Sequence, residues 1–222
     1  MAASYFDVDG TLLSTNLVHP ALFYLVNQAN PLQSMRRLGR SLVKAPAMAL
    51  AELVDRRLFN ELLYSAYDGI SEDRLLLLAD EVFDRVVGPS LYPGAADLVE
   101  RARSAGHEVV LVSGMLDFIL ERLAKRLGGA TVIANCLEMK DRTATGKLMQ
   151  PVVAGPQKAR LVREHARTHA HDLDECFAYS DSYSDVPMLS VVGHPAAVNP
   201  DLRLSLLARA YSWPTIRLAR AS

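Results

Sequence analysis

Short apolar runs at residues 5–8, 108–113, 131–134, 176–180 and 196–198 are separated by longer stretches in which apolar residues recur every three or four positions. Short, uniformly apolar runs suit strands covered on both faces, and their alternation with helical patterns predicts an α/β fold built on a parallel sheet with crossover helices. After the run at 108–113, Leu116, Ile119, Leu120, Leu123 and Leu127 form one stripe that Gly128-Gly129 ends, as expected of a strand-turn-helix unit. Residues 15–89 break the alternation. Leu58, Leu62 and Ala66, then Leu75, Leu78, Val82 and Val86, keep helical spacing without a convincing strand, which predicts a helical insertion. Tyr92-Pro93-Gly94 reads as a turn and 95–105 as a helix ended by Gly106, so the core is expected to be split into residues 1–14 and 90–222. Residues 137–148 carry Asp141, Gly146 and alternating polar positions, which predicts a β-hairpin on the edge of the sheet.

Composition narrows the function classes. Half of the 222 residues are hydrophobic, enough for a sizeable core, and 24 Lys+Arg balance 25 Asp+Glu, so no net field draws the chain to nucleic acid or an anionic membrane surface. The most apolar stretch, 45–54, contains Pro46 and is far shorter than the ~20 residues a bilayer span requires, so no stable membrane insertion is expected. Cys136 and Cys176 have neither the number nor the spacing of a disulfide framework or a zinc site and are expected to be free thiols. The start, MAASYFDVDG, does not resemble a secretory signal, and a cytoplasmic protein is expected.

Candidate chemistry gathers where the apolar runs end. Asp7 and Asp9 stand two residues apart at the close of the first run, before Gly10 and Thr11, and period-two geometry aims both toward the crevice at the carboxyl end of the sheet. Such a pair can divide the cleavage of a phosphate ester, one carboxylate attacking phosphorus while the other gives a proton to the leaving oxygen and then activates water. The alternative of a calcium loop fails, because counting from Asp7 the glycine is fourth rather than sixth and the twelfth residue is Val18, not a Glu. Ser113-Gly114 puts a hydroxyl and an unobstructed N–H after the second run, which suits a phosphoryl oxygen but equally an ordinary turn. Lys158 follows Pro156 at a predicted helix start, where a local anion would explain a cation placed against the helix dipole, although a solvated lysine is the simpler reading. Asp181 could ligate a hard cation and Asp185 could orient that shell or hold Lys158; the plain alternative is an N-cap cluster before a helix at 186–191.

Taken in order, Asp7-Val8-Asp9-Gly10-Thr11, Ser113-Gly114, Lys158 and Asp181 with Asp185 resemble the motif set of haloacid dehalogenase superfamily phosphatases, in particular the phosphoserine-phosphatase-like branch. The resemblance spans residues 7–185 and implies a Rossmann-like parallel sheet, with residues 15–89 as a helical cap. It implies Asp7 as nucleophile, Asp9 as general acid and base, and Ser113 and Lys158 as further catalytic groups. Thr11, Ser113, Gly114 and Lys158 would bind substrate. Mg2+ would be held by Asp7, the Asp9 carbonyl and Asp181, with Asp185 in support. The implied partner is a small-molecule phosphate ester. Asn16 stands where phosphoserine phosphatases carry a Glu that meets the substrate ammonium, so phosphoserine itself is not implied. An amphiphilic or alcohol phosphate could fit Leu17, Val18, Pro20, Phe23, Tyr24 and Leu25 with the basic Arg36, Arg37, Arg40 and Lys44, unless these are merely the insertion's own core and solvated face. A phosphotransferase or mutase using the same phospho-aspartate, and a silent phosphate- or partner-binding protein, are the competing readings. The sequence leaves the natural ester and the oligomeric state open.

Overall fold

A computed structural model describes residues 2–27 and 31–219. Six strands form one sheet in the order β3-β2-β1-β6-β7-β8, namely β1 (Ala3–Phe6), β2 (Glu108–Leu116), β3 (Thr131–Asn135), β6 (Phe177–Ser180), β7 (His194–Val198) and β8 (Thr215–Ile216). Every adjacent pair is parallel. The chain winds outward from β1 through β2 to β3, then returns to the other side of β1 for β6, β7 and β8. The β1/β6 boundary is thus a topological switch point, where helices diverge and an open sheet leaves a crevice at its carboxyl edge.

Strand alternation sorts the two faces. Phe6, Val109 and Leu111 point into one core with Leu98 and Val99 of α5 (Ala95–Ser104) and Ile119, Leu120 and Leu123 of α6 (Asp117–Arg126). Ala3, Tyr5, Val110 and Val112 point into the other, against Val162 of α7 (Pro156–Thr168), Met188 and Leu189 of α8 (Val186–Leu189) and Leu204 and Ala208 of α9 (Leu202–Ala210). Residue 116, expected to open α6, instead closes β2. The register with β3 shifts between Val112 and Leu116, so Ser113 and Gly114 lie in an irregular stretch of strand rather than beyond its end.

Between β1 and α5 lie α1 (Val18–Val26), α2 (Pro31–Val54), α3 (Arg56–Tyr64) and α4 (Glu72–Val82). The carboxylate of Asp55 accepts from Arg57 N and Leu58 N to start α3, and Ser71 Oγ accepts from Arg74 N to start α4. Pro46 is accommodated within α2, and among the described residues no helix is long and apolar enough to cross a membrane. The predicted hairpin exists as β4 (Leu137–Lys140) and β5 (Thr143–Leu148), but it is a separate two-stranded sheet and not an edge of the main one. It is held by the helical segment instead: Gly69 N donates to Ala144 O at 2.8 Å and Ala144 N to Ile70 O at 2.8 Å. Leu137, Ala144 and Leu148 bury their shared apolar side in the same core as Tyr67 and Ile70. Both cysteines are free.

Candidate active site

The first run ends where the chain must turn. Asp7 still behaves as strand, donating its N–H to Tyr179 O at 2.9 Å, after which the amides of Thr11, Leu12 and Leu13 all converge on Val8 O. Gly10 makes that turn at φ +85°, and a Cβ there would sit 2.1 Å from Asp181 Oδ2. Glycine is required twice over, by the left-handed backbone and by the approach of the second acidic loop.

Asp7 is 4 % exposed and gripped at both oxygens: Lys158 Nζ lies 2.5 Å from Oδ1, and Thr11 Oγ donates to Oδ2 at 2.7 Å. Lys158, buried near the start of α7 after Pro156, also reaches Asp185 Oδ2 at 2.8 Å, and Ser180 Oγ donates to that same oxygen at 2.8 Å. Lys158 is therefore no solvated lysine, and Asp185 is no simple cap, because its carboxylate makes no capping bond to α8 and is spent on the ammonium. Thr11 closes the loop between the two acidic motifs by accepting from Asp181 N at 2.9 Å, with Asp181 Oδ1 at 3.2 Å. Asp201 supports the same turn from outside: its N–H donates to Asp181 O at 2.7 Å and its Oδ2 accepts from Tyr183 N at 2.8 Å.

Ser113 Oγ donates to Asp9 Oδ2 at 2.9 Å and accepts from Met115 N at 2.9 Å. Thr11 and Ser113 are fully buried, so in this arrangement their hydroxyls position Asp7, Asp181 and Asp9 and are not presented to a ligand. Gly114, by contrast, lines the cleft together with Asp7, Asp9, Lys158, Asp181 and Asp185, around a volume of about 280 Å³.

The electrostatics of this cleft are short of positive charge. Burial, then the Asp7 charge, pushes the Asp9 carboxyl up to about 7 despite the hydrogen bond from Ser113. Burial, with Asp7 and Asp185 as neighbours, pushes Asp181 up to about 8, and Asp7 is itself held above the usual carboxylate range by burial, against the pull of Lys158. Asp9 Oδ1 is buried and, among the described residues, has no hydrogen-bond partner. Crowded carboxylates on two facing loops, all oxygen donors, fit a small hard dication such as Mg2+.

The helical segment also contributes residues that the sequence did not single out. Arg56 and Asn60 of α3 line the cleft with Asn16, Leu17 and Phe59. Tyr64 Oη donates to Gly114 O at 2.9 Å, and a Cβ on Gly114 would sit 2.7 Å from Asn60 Nδ2. Gly114 thus admits α3 as well as freeing an N–H. Nothing in the spacing of Arg56 and Asn60 marked them beyond an ordinary helix surface, because their role depends on how α3 docks. Of the apolar group at the insertion's start only Leu17 reaches this cleft, while Val18 and Leu25 line a separate apolar groove. The side chains of Arg36, Arg37 and Arg40 lie outside the described ones.

Residues 5–190 match the family model of haloacid dehalogenase-like hydrolases. Among curated proteins, the chain is 31% identical over 222 residues to phosphoserine phosphatase SerB1 of Mycobacterium tuberculosis, covering 99% of this chain and 72% of that protein. It is also 31% identical over 220 residues to the inhibition of morphological differentiation protein of Streptomyces azureus, covering 98% and 79%. A crystal structure of a protein with unknown function from Bordetella pertussis superposes with TM-score 0.81 at 25% identity over 97% of both chains. A substrate-bound phosphoserine phosphatase complex shares the fold, with TM-score 0.71 at 17% identity over 97% of this chain and 92% of that one.

Proposed function

The chain belongs to the haloacid dehalogenase-like hydrolases and is a phosphatase like the phosphoserine phosphatases, and from that premise we propose that it is a Mg2+-dependent phosphomonoesterase working through an aspartyl-phosphate on Asp7. What carries the reading is the convergence of Asp7, Asp9, Lys158, Asp181 and Asp185 on one cleft at the switch point of the sheet.

Asp7, Asp181 and the Asp9 carbonyl are the proposed metal ligands, and the bound ion would supply charge neutralisation for the nucleophile and the phosphoryl oxygens. Lys158 holds the Asp7 carboxylate and offers positive charge to the incoming phosphoryl group. Asp7 attacks phosphorus; the P–O bond to the alcohol breaks, and the leaving oxygen takes the proton of Asp9. An acid poised near neutrality suits this double task, since the ionised Asp9 then accepts a proton from the water that attacks phosphorus, which frees inorganic phosphate and restores Asp7. Residues 15–89 are proposed to act as a cap whose α3 covers the cleft and excludes water during transfer.

Phosphate release from a panel of phosphomonoesters, measured with Mg2+ and with a chelator, tests this. Turnover should require the metal and return when it is restored. Metal-independent turnover would overturn the reading, and transfer of the phosphoryl group to added alcohols in preference to water would favour a phosphotransferase.

The cap also suggests a substrate class. Arg56 is a cation that α3 brings to the cleft, and the neutral Asn16 offers an ammonium group no charge, its Oδ1 already accepting from Val18 N at 3.1 Å. We take the preferred ester to carry a second anionic group on its alcohol part. Arg56→Ala should raise KM for such esters by roughly tenfold or more and change the turnover of a simple aryl phosphate far less, since there only the pull of its charge on Asp9 is lost. Equal effects on both substrates in steady-state kinetics would sink that assignment.

A further inference from the structure

A second cluster of chemically capable side chains lies at the opposite end of the sheet from the cleft. Glu108 opens β2, beside the start of β1, whereas the acidic loops leave the carboxyl ends of β1 and β6. Against Glu108 stand His165 and His169, one helical turn apart near the end of α7, and His171 just beyond it. The rings of His165 and His169 stack with centroids 4.1 Å apart, and His171 lies 5.9 Å from the first and 6.0 Å from the second.

One hydrogen bond of this cluster fixes where a lone pair points. His169 Nδ1 lies 3.0 Å from His165 O, a carbonyl that can only accept, so Nδ1 carries the hydrogen and Nε2 keeps its lone pair. His165 Nδ1 is 3.2 Å from the hydroxyl of Tyr5, which can accept from it or donate to it. His165 Nε2, buried in a side chain only 7% exposed, has no hydrogen-bond partner among the described residues and lies 3.5 Å from Glu108 Oε1. Glu108 is oriented by its other contacts: Thr131 Oγ donates to Oε1 at 2.7 Å, and His171 Nε2 lies 2.6 Å from Oε2. One ligand atom from each of Glu108, His165 and His169 falls within 4.8 Å of the others.

We propose that Glu108, His165 and His169 form a binding site for a borderline transition-metal dication such as Zn2+, with His171, Thr131 and Tyr5 as its orienting partners. Two imidazoles and a carboxylate are the donors Zn2+ or Co2+ takes, and a histidine in the last turn of α7 followed four residues on by one at its C-cap brings the two rings side by side. Mg2+ prefers all-oxygen ligands, so the two sites differ in kind. The bound ion would pin the end of α7 to the start of β2. Its role is structural, since it lies at the far end of the sheet from the cleft.

The test is equilibrium dialysis of metal-stripped protein against Zn2+ in saturating Mg2+, with thermal melts alongside. One Zn2+ per chain should be retained and should raise the melting temperature. His169→Ala alters an exposed side chain, so it should fold and keep its phosphatase turnover, yet bind Zn2+ roughly tenfold or more weakly. Glu108→Gln should weaken binding likewise, and Asp7→Asn should leave it unchanged. The proposal is overturned if wild type retains no Zn2+, if His169→Ala binds it as wild type does, or if Asp7→Asn abolishes binding.

Discussion

Asp7→Asn is expected to cut phosphate release about 10³-fold or more while leaving the melting temperature equal to or above that of the wild type. The two effects separate because Asp7 is placed at a cost to the fold. Its carboxylate is buried, faces other acids, and is held above its ordinary range even with Lys158 in contact. Asparagine keeps the shape, its one amide oxygen can still accept from Lys158, and its NH2 can donate to Thr11 Oγ once that hydroxyl turns its hydrogen to Asp181 Oδ1 at 3.2 Å; the change removes one buried negative charge and leaves Lys158 its bond to Asp185 at 2.8 Å. What it loses is the nucleophilic oxygen. Steady-state phosphate release beside a thermal melt decides the matter: turnover within tenfold of wild type would remove Asp7 from the nucleophile's role, and a collapse of stability would make the loss of activity a folding effect.

How much of this was legible beforehand depended on whether the cause was local. The strands β1, β2, β3, β6 and β7 lie within a few residues of their expected positions, because a strand buried on both faces must be apolar at nearly every position. Asp7, Asp9 and Asp181 stood out for a related reason, since charged residues just after such runs face the crevice, whereas Lys158 stood out as a cation at a helix start and Asp185 as the second acid of its cluster. Tertiary choices were not legible. The pattern of residues 137–148 specifies a hairpin but not its partner, and Gly69 and Ile70 captured it in place of the sheet edge. β8 has only two residues, Thr215 and Ile216, too few to show a period. Thr11 and Ser113 show the same limit: the resemblance implied ligand contact for both, and for Ser113 so did its place at a strand end, but each hydroxyl here serves two protein partners at once and holds carboxylates in place. The histidines of α7 gave no signal either, because the residue that completes their cluster, Glu108, is 57 residues from His165 in sequence and meets it only across the edge of the sheet.

Lys158→Met should be the mirror image of the nucleophile variant, inactive and also destabilised by about 3–5 kcal/mol, the usual cost of removing one partner from a buried ion pair. Methionine fills nearly the same space, so a cavity contributes little, and the loss is electrostatic. Asp7 and Asp185 are left facing each other in a pocket where Lys158 is 7% and they are 6% and 4% exposed at the side chain. With the ammonium gone, only the hydrogen bond from Thr11 offsets the burial that raises the Asp7 pKa, so its folded value stands further above its unfolded one. A raised folded pKa contributes stability below the unfolded pKa and loses it as pH rises through the folded value. The deficit of Lys158→Met against wild type should therefore widen from about pH 5 toward neutrality and beyond. Urea denaturation across that range measures it, and a pH-independent deficit would mean that packing, not charge, is responsible. The double variant Asp7→Asn/Lys158→Met supplies the deciding comparison. If the ion pair is the cause, removing the stranded carboxylate must return part of the lost stability, so the two changes together cost less than the sum of each alone. Strict additivity would instead make Lys158 an independent structural residue and leave the grip on Asp7 without energetic weight.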